Sequence, residues 1–247
     1  MTERRFYVDP VDAAHERLVL RADEAHHARR VLRLEPGATV LCFDGQGRSW
    51  RGRLAAYERD AALVDVVATL EPEPEPEPRI VLAQGLVKGD RMDLIVQKAT
   101  ELGAAGIVPL ACDRSDVRLD SERSARRADR WRRIVVESAK QCERSRLPEL
   151  AGAARVEAAL DAVDGEVVAF VERDGAAARG RLEGLCRAPS IAIFVGPEGG
   201  WSERERALFA ERGVAQLSLG HLVLRAETAA IAALAVVNYV CARTEYS

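Results

Sequence analysis

The chain has 247 residues, 48% of them hydrophobic and 30% charged, with a formal net charge of −3; this excludes collagen-like, low-complexity and membrane-embedded classes and predicts a globular protein of one or two domains. Apolar runs such as Ile231 to Val237 fall well short of the roughly 20 residues that cross a bilayer, and the opening MTERRFYVDP lacks a signal-peptide core, so a cytoplasmic location with no membrane partner is expected. Cys42, Cys112, Cys142, Cys186 and Cys241 are odd in number and never in CxxC spacing, which predicts reduced thiols, with neither a disulfide framework nor a metal site.

The first elements are short β-type runs at Arg17 to Leu20, Thr39 to Phe43, Ser49 to Tyr57 and Ala62 to Thr69. Glu35-Pro36-Gly37 and Asp44-Gly45-Gln46-Gly47 punctuate them as turns. A small β-barrel over residues 1–70 is predicted. One helical patch interrupts it, with Ala25, Ala28, Val31 and Leu32 at apolar helical spacing and a basic outer face around His26, Arg29 and Arg30.

Residues 71–78 read EPEPEPEP. Each proline removes a backbone donor and pushes its predecessor out of the helical region, while the glutamates repel one another, so a stiff extended linker is expected.

Residues 79–247 alternate apolar, β-branched runs with helical patterns. Ile80 to Leu86, Gly106 to Leu110, Glu166 to Val171, Ser190 to Val195 and Ala215 to Leu219 are the strand candidates. Between the first two, Met92, Ile95, Val96, Ala99 and Leu102 keep one helix face apolar, and Gly103 stands at the cap position. Such alternation predicts an α/β fold with a parallel sheet. Ligands of these sheets lie beyond the carboxyl ends of the strands, which directs attention to the loops there.

Two of those loops stand out. Ser190 to Val195 runs into Gly196-Pro197-Glu198-Gly199-Gly200, after which Ser202 and Glu205 have capping-box spacing. Missing side chains there would let backbone groups reach a ligand. Ala215 to Leu219 runs into Gly220-His221-Leu222-Val223-Leu224-Arg225-Ala226-Glu227-Thr228, an apolar stretch where a polar turn is the rule, and a long apolar helix follows from about Ala229. No GxxxxGK[ST] or GxGxxG is present, and Glu198 stands where a polyphosphate would need donors. S-adenosylmethionine, with a neutral adenosine, a carboxylate and a sulfonium, suits such loops better; turns that only stabilise the domain are the alternative.

Charge is uneven. From Arg114 to Arg146 eleven Arg or Lys face six Asp or Glu, a net +5. Either this is a solvated helix face laced with i,i+4 pairs or a surface for an RNA backbone.

Several segments together resemble one family. These are Arg5-Phe6-Tyr7-Val8, His26 to Leu34 with Gly37, Lys88-Gly89-Asp90-Arg91-Met92-Asp93 and Gln97 to Gly103. Trp131-Arg132-Arg133-Ile134, Gln141-Cys142-Glu143-Arg144, Gly196 to Gly200, and Leu219-Gly220 with Leu224 to Ala229 complete the set. In that order they are similar to the ribosomal RNA small subunit methyltransferase E family of the SPOUT class, which methylates uridine N3 in 16S ribosomal RNA. The resemblance implies a PUA-like β-barrel (residues 1–70), the linker (71–78) and a SPOUT methyltransferase domain (79–247) whose last segments form a trefoil knot. It also implies a homodimer acting on 16S ribosomal RNA within the assembled small subunit.

Carried onto this chain, the resemblance implies that Val195, Gly196, Pro197, Glu198, Gly199, Gly200, Leu219, Gly220, Leu222, Leu224, Ala226 and Thr228 hold S-adenosylmethionine. Arg225 would stabilise the uridine anion, and Glu227 or Glu198 would accept its proton. A structural ion pair for Arg225 and a helix-terminal carboxylate for Glu227 are the bland alternatives. Expected RNA contacts are Arg5, His26, Arg30, Arg33, Lys88, Arg91, Arg114, Arg126, Arg127 and Arg144.

Overall fold

Alternation of inward apolar and outward polar residues builds the N-terminal sheet. In the computed structural model, which describes residues 4–13, 16–115, 121–172 and 176–241, its strands are β1 (Arg4–Tyr7), β2 (Arg17–Arg21), β3 (Thr39–Phe43), β4 (Ser49–Tyr57) and β5 (Ala61–Leu70). They lie in the order β1-β3-β4-β5-β2, with β1 parallel to β3 and the other neighbours antiparallel. Phe6, Leu18, Leu20, Val40, Leu54 and Val64 form the centre of its core. Each such buried side chain contributes roughly 1.5–3 kcal/mol relative to exposure. Strand β1 is an addition to the predicted elements, and the five strands form one curled sheet.

Helix α1 (Ala22–His26) continues into a π turn at His27–Val31. The Leu32 amide donates to the His27 carbonyl at 3.0 Å, a five-residue step. That wider turn rotates Val31 off the apolar face, so it is 61% exposed whereas Ala25 and Ala28 are buried. The 3.6-residue period expected there therefore fails at Val31 alone.

The second unit carries β6 (Arg79–Gly85), α2 (Arg91–Glu101), β7 (Gly106–Ala111), α3 (Ser121–Gln141), β8 (Glu149–Leu150), β9 (Ala154–Arg155) and α4 (Val156–Asp161). After these come β10 (Glu166–Phe170), β11 (Ala176–Ala177), α5 (Ala178–Leu185), β12 (Ser190–Val195), α6 (Glu203–Glu211), β13 (Ala215–Ser218) and α7 (Ala226–Cys241). The sheet runs β11-β13-β10-β12-β6-β7-β8, with β9 also on β7, and every pairing is parallel. Burial on both faces explains why Ile191 to Val195 are all apolar and all buried. In α7, Ala230, Ala233, Leu234 and Val237 are fully buried at i, i+3, i+4 and i+7, the stripe that docks a helix on a sheet.

The chain divides into Met1–Pro74 with Val136–Leu147, and Glu75–Val135 with Pro148–Ser247. The end of α3 thus counts with the N-terminal sheet. There the Lys140 ammonium lies 2.8 Å from Glu24 Oε1, and burial pushes the Glu24 carboxyl up against the opposing pull of Lys140.

Cys186 and Cys241 are disulfide-bonded, with Cα atoms 4.8 Å apart. This corrects the expectation of five reduced thiols: a pairing across 55 residues is set by tertiary proximity, which spacing does not encode. Cys42 and Cys112 are free and buried, and Cys142 is free and half-buried. Among the described residues no helix is long and apolar enough to cross a membrane, and no group of three or more His, Cys, Asp or Glu could hold a metal ion.

Candidate active site

Because β10, β12 and β13 are parallel neighbours, their carboxyl ends open on one edge of the sheet. The loop after β12 turns tightly, with the Gly200 amide donating to the Pro197 carbonyl at 2.9 Å and Gly200 at φ +65°, a region that favours glycine. Helix α6 then starts with the predicted capping box. Ser202 Oγ accepts from the Glu205 amide at 3.1 Å, and Glu205 Oε2 accepts from the Ser202 amide at 2.8 Å. The other oxygen of this fully buried carboxylate accepts from the Asp113 amide at 2.9 Å, tying down the turn after β7. Ion pairing with Arg204 holds the Asp113 carboxyl below its ordinary value.

Strand β6 supports the glycine loop from beneath. The fully buried Gln84 donates through Nε2 to the Gly85 carbonyl at 2.8 Å and the Gly196 carbonyl at 3.2 Å. A Cβ on Gly85 would stand 2.5 Å from the Pro197 nitrogen, so only glycine lets the two backbones meet there.

Strand β13 ends at Ser218, whose hydroxyl donates to the Gly220 carbonyl in the following loop at 2.9 Å. Leu222, Val223 and Leu224 are 81%, 51% and 36% exposed. Arg225 is exposed, and its carbonyl accepts from the Ala229 amide at 2.8 Å, so α7 starts three residues earlier than expected.

The two loops enclose a cavity of about 900 Å³, within the range of sites that bury a small ligand. Of the residues expected to hold a cofactor, Val195, Gly196, Pro197, Glu198, Gly199, Gly200, Leu219, Leu222, Leu224 and Ala226 line it, as does Arg225. Gly220, Thr228 and Glu227 do not. Four arginines (Arg91, Arg114, Arg206, Arg225) and two glutamates (Glu172, Glu198) line it, a balance that favours an anionic partner at the mouth.

Glu198 is already engaged, since its Oε1 accepts from the Lys88 amide at 3.2 Å and from Arg91 Nη1 at 2.8 Å. Arg114 Nη1 donates to the Gly199 carbonyl at 3.3 Å. Glu227 is 9% exposed, and its Oε2 has no hydrogen-bond partner among the described residues. Phe170, Val171, Glu172, Trp201, Arg206 and Ser218 line the cavity without having been singled out in the sequence. The rule that ligands lie beyond strand ends, applied to β10 as it was to β12 and β13, reaches Glu172 directly.

The expected RNA contacts are scattered over both units. Arg5 is half-buried and donates to the Arg144 carbonyl and to Ser145 Oγ, both at 3.2 Å, and Arg144 is 9% exposed. Arg5 therefore bonds inward within the N-terminal unit and Arg144 is buried there, in contrast to the outward role expected of them. His26, Arg30 and Arg33 are exposed in that unit, while on α3 Arg126 is exposed and Arg127 half-buried. In the basic run, Arg118 lies outside the described residues. Arg132 pairs along the helix with Asp129, as the bland reading expects, whereas Arg130 pairs with Asp90 before α2.

Comparison with known proteins agrees with this architecture. A family model described as an RNA methyltransferase domain matches residues 73–238, and one described as an RNA methyltransferase PUA domain matches residues 20–67. Ribosomal RNA small subunit methyltransferase E of Synechocystis is 34% identical over 95% of this chain and 77% of its own length. The Bacillus subtilis protein of the same name is 30% identical over 88% of each chain. The crystal structure of ribosomal RNA small subunit methyltransferase E from Neisseria gonorrhoeae bound to S-adenosyl methionine superposes with a TM-score of 0.85 at 30% identity, covering 97% of this chain and 98% of that one. The domains are an RNA methyltransferase domain and an RNA methyltransferase PUA domain. The chain belongs to the ribosomal RNA small subunit methyltransferase E family.

Proposed function

We propose that this protein transfers a methyl group from S-adenosylmethionine to N3 of a uridine in 16S ribosomal RNA within the assembled small subunit. The carrying observation is the cavity at the carboxyl ends of β10, β12 and β13, walled by two backbone-rich loops, with an exposed arginine at its rim. Residues 1–70 would hold RNA as a PUA-like barrel, 71–78 space the parts, and 79–247 carry the chemistry, with the segment from β12 to α7 threaded as a trefoil knot. The exposed Leu222, Val223, Val236 and Tyr239 are apolar surface that a second copy would cover, in keeping with a cytoplasmic homodimer.

The residues present fit the cofactor. Gly196, Gly199 and Gly200 have no side chain to keep a flat heterocycle off the loop, while Leu219, Leu222, Leu224 and Ala226 supply apolar wall. When bound, S-adenosylmethionine supplies an electrophilic methyl group. What remains for the protein is to place uridine N3 in line and to help its proton leave. Arg225 stabilises the negative charge left on the uracil ring. Glu227, buried beside the cavity-lining Ala226 and with its Oε2 unpartnered among the described residues, is the candidate proton acceptor once the bound substrate brings it within reach, whereas Glu198 is committed to Arg91 and the Lys88 amide and orients the loop.

The direct experiment is a nucleoside digest after reaction with methyl-labelled cofactor. Label in N3-methyluridine, from assembled subunits in preference to protein-free RNA, is expected. Label on ribose would make it a 2′-O-methyltransferase, and no label with no cofactor binding would leave an RNA-binding assembly protein.

Gly85→Ala offers a milder test of the loop support. Since the new Cβ meets backbone atoms of Gly196 and Pro197, cofactor Kd measured by calorimetry should rise about tenfold, near 1.4 kcal/mol. An unchanged Kd would detach β6 from the site.

A further inference from the structure

The N-terminal unit has a cavity of its own, about 200 Å³, between α1, the π turn and the β4–β5 connection. It shares no residue with the larger cavity of the second unit. We propose that it binds one nucleotide of a single-stranded RNA segment, with the phosphate against Arg30 and Arg59 and the base against Arg29 and Tyr57. The inference rests on the reading of this protein as an RNA-modifying enzyme.

Charge is the first argument. His26, Arg29, Arg30 and Arg59 line the cavity, and the three guanidinium groups have no ion pair among the described residues. Other arginines of the same unit do find carboxylates, as in Arg17 with Asp65, Arg21 with Asp12 and Arg48 with Asp44. Glu58 and Asp60 also line the cavity, yet neither pairs with these three. Three guanidinium groups against two carboxylates leave the lining with an excess positive charge and, among the described residues, no guanidinium committed to a partner carboxylate, and a guanidinium offers a phosphate two parallel donors.

A flat platform is the second argument. Tyr57 is held by its hydroxyl, which donates to the Leu34 carbonyl at 2.8 Å, and the Arg29 guanidinium carbon lies 5.3 Å from the ring centroid. Aromatic rings and guanidinium planes are the surfaces on which unpaired RNA bases stack. An acidic peptide would satisfy the charge but leave this platform unused.

Backbone conformation points the same way. Ala22, on the cavity wall, has φ +37° and is held there by its amide donating to the Asp60 carbonyl at 3.0 Å. With the adjoining π turn, two uncommon backbone geometries thus shape one small hollow, as happens where a ligand must be fitted. The volume lies below the roughly 300–1,000 Å³ of sites that enclose a drug-sized ligand, so the hollow takes one unit of a polymer.

The test uses the full chain with a fluorescent single-stranded RNA oligonucleotide. Arg30→Ala with Arg59→Ala should weaken binding at least fivefold and reduce the salt slope by about 0.7 for each phosphate no longer neutralised. Arg17→Ala with Arg53→Ala, an equal loss of charge on the same sheet, should change binding less than twofold. Arg29→Ala should weaken binding to RNA, and millimolar uridine monophosphate should displace the oligonucleotide more effectively than inorganic phosphate does. Equal losses for both double variants, no loss for the first, or displacement by a polyglutamate peptide but not by the mononucleotide would overturn the proposal. Methyl transfer by the wild-type protein is read in parallel. If it proceeds while the cavity variants bind RNA normally, only the nucleotide site falls; if it fails while those variants lose RNA affinity, only the enzymatic reading falls.

Discussion

Replacing Arg225 with alanine should slow methyl transfer by about 10²–10³-fold, or 2.7–4 kcal/mol in the barrier, the usual cost of removing one donor aimed at developing charge. Cofactor affinity should stay within about twofold, because the substitution removes an interaction made only as charge develops. The geometry supports that split. Arg225 lines the cavity and is exposed, and its backbone rather than its side chain secures the first turn of α7. Its guanidinium has no ion pair among the described residues, which weakens the bland alternative of a structural salt bridge. Single-turnover rates and calorimetry on the same preparation separate the two effects. A large loss of cofactor binding would instead place Arg225 among the residues that hold the donor.

Nine strands were legible almost to the residue, since a parallel strand buried on both faces must be a continuous apolar run and Ser190 to Val195 or Glu166 to Phe170 can be little else, whereas β1 and the two-residue β8, β9 and β11 were missed. Both glycine loops were legible for the same reason. Each follows such a strand at its carboxyl end, and the glycines mark where backbones approach. What escaped lies in side-chain fate and tertiary proximity. Arg5 and Arg144 have the residue type of a phosphate contact, but nothing local reveals that Arg5 bonds inward to the Arg144 carbonyl and Ser145 or that Arg144 is buried. The π turn escaped because a helical period fitted to Ala25 and Ala28 carries straight on to Val31. Glu172 lay just past a recognised strand whose following loop holds no glycine signature. The nucleotide-sized hollow needs Tyr57 and Arg59 beside Arg29, residues about 30 positions apart that only the β4–β5 connection brings together.

The second large effect concerns the disulfide. Cys186 follows α5 and Cys241 ends α7, so the closed loop of 55 residues contains β12, both glycine loops, α6 and β13. On chain-entropy grounds a loop of that size restricts the unfolded state by about 4 kcal/mol. Dithiothreitol should therefore lower the unfolding free energy of the oxidised protein by up to about that amount, and Cys241→Ser should reproduce the loss without reductant. Two of the three remaining thiols are poor exchange partners. Burial pushes Cys42 up to about 12 and raises Cys112 as well, leaving both protonated and unreactive near neutrality. The bond persists only under oxidising conditions, so the effect belongs to protein purified without reductant, where cofactor added in excess should recover part of the lost stability by binding the folded state. Identical melting with and without reductant, together with five alkylatable thiols by mass spectrometry, would show that the two cysteines stand adjacent without bonding.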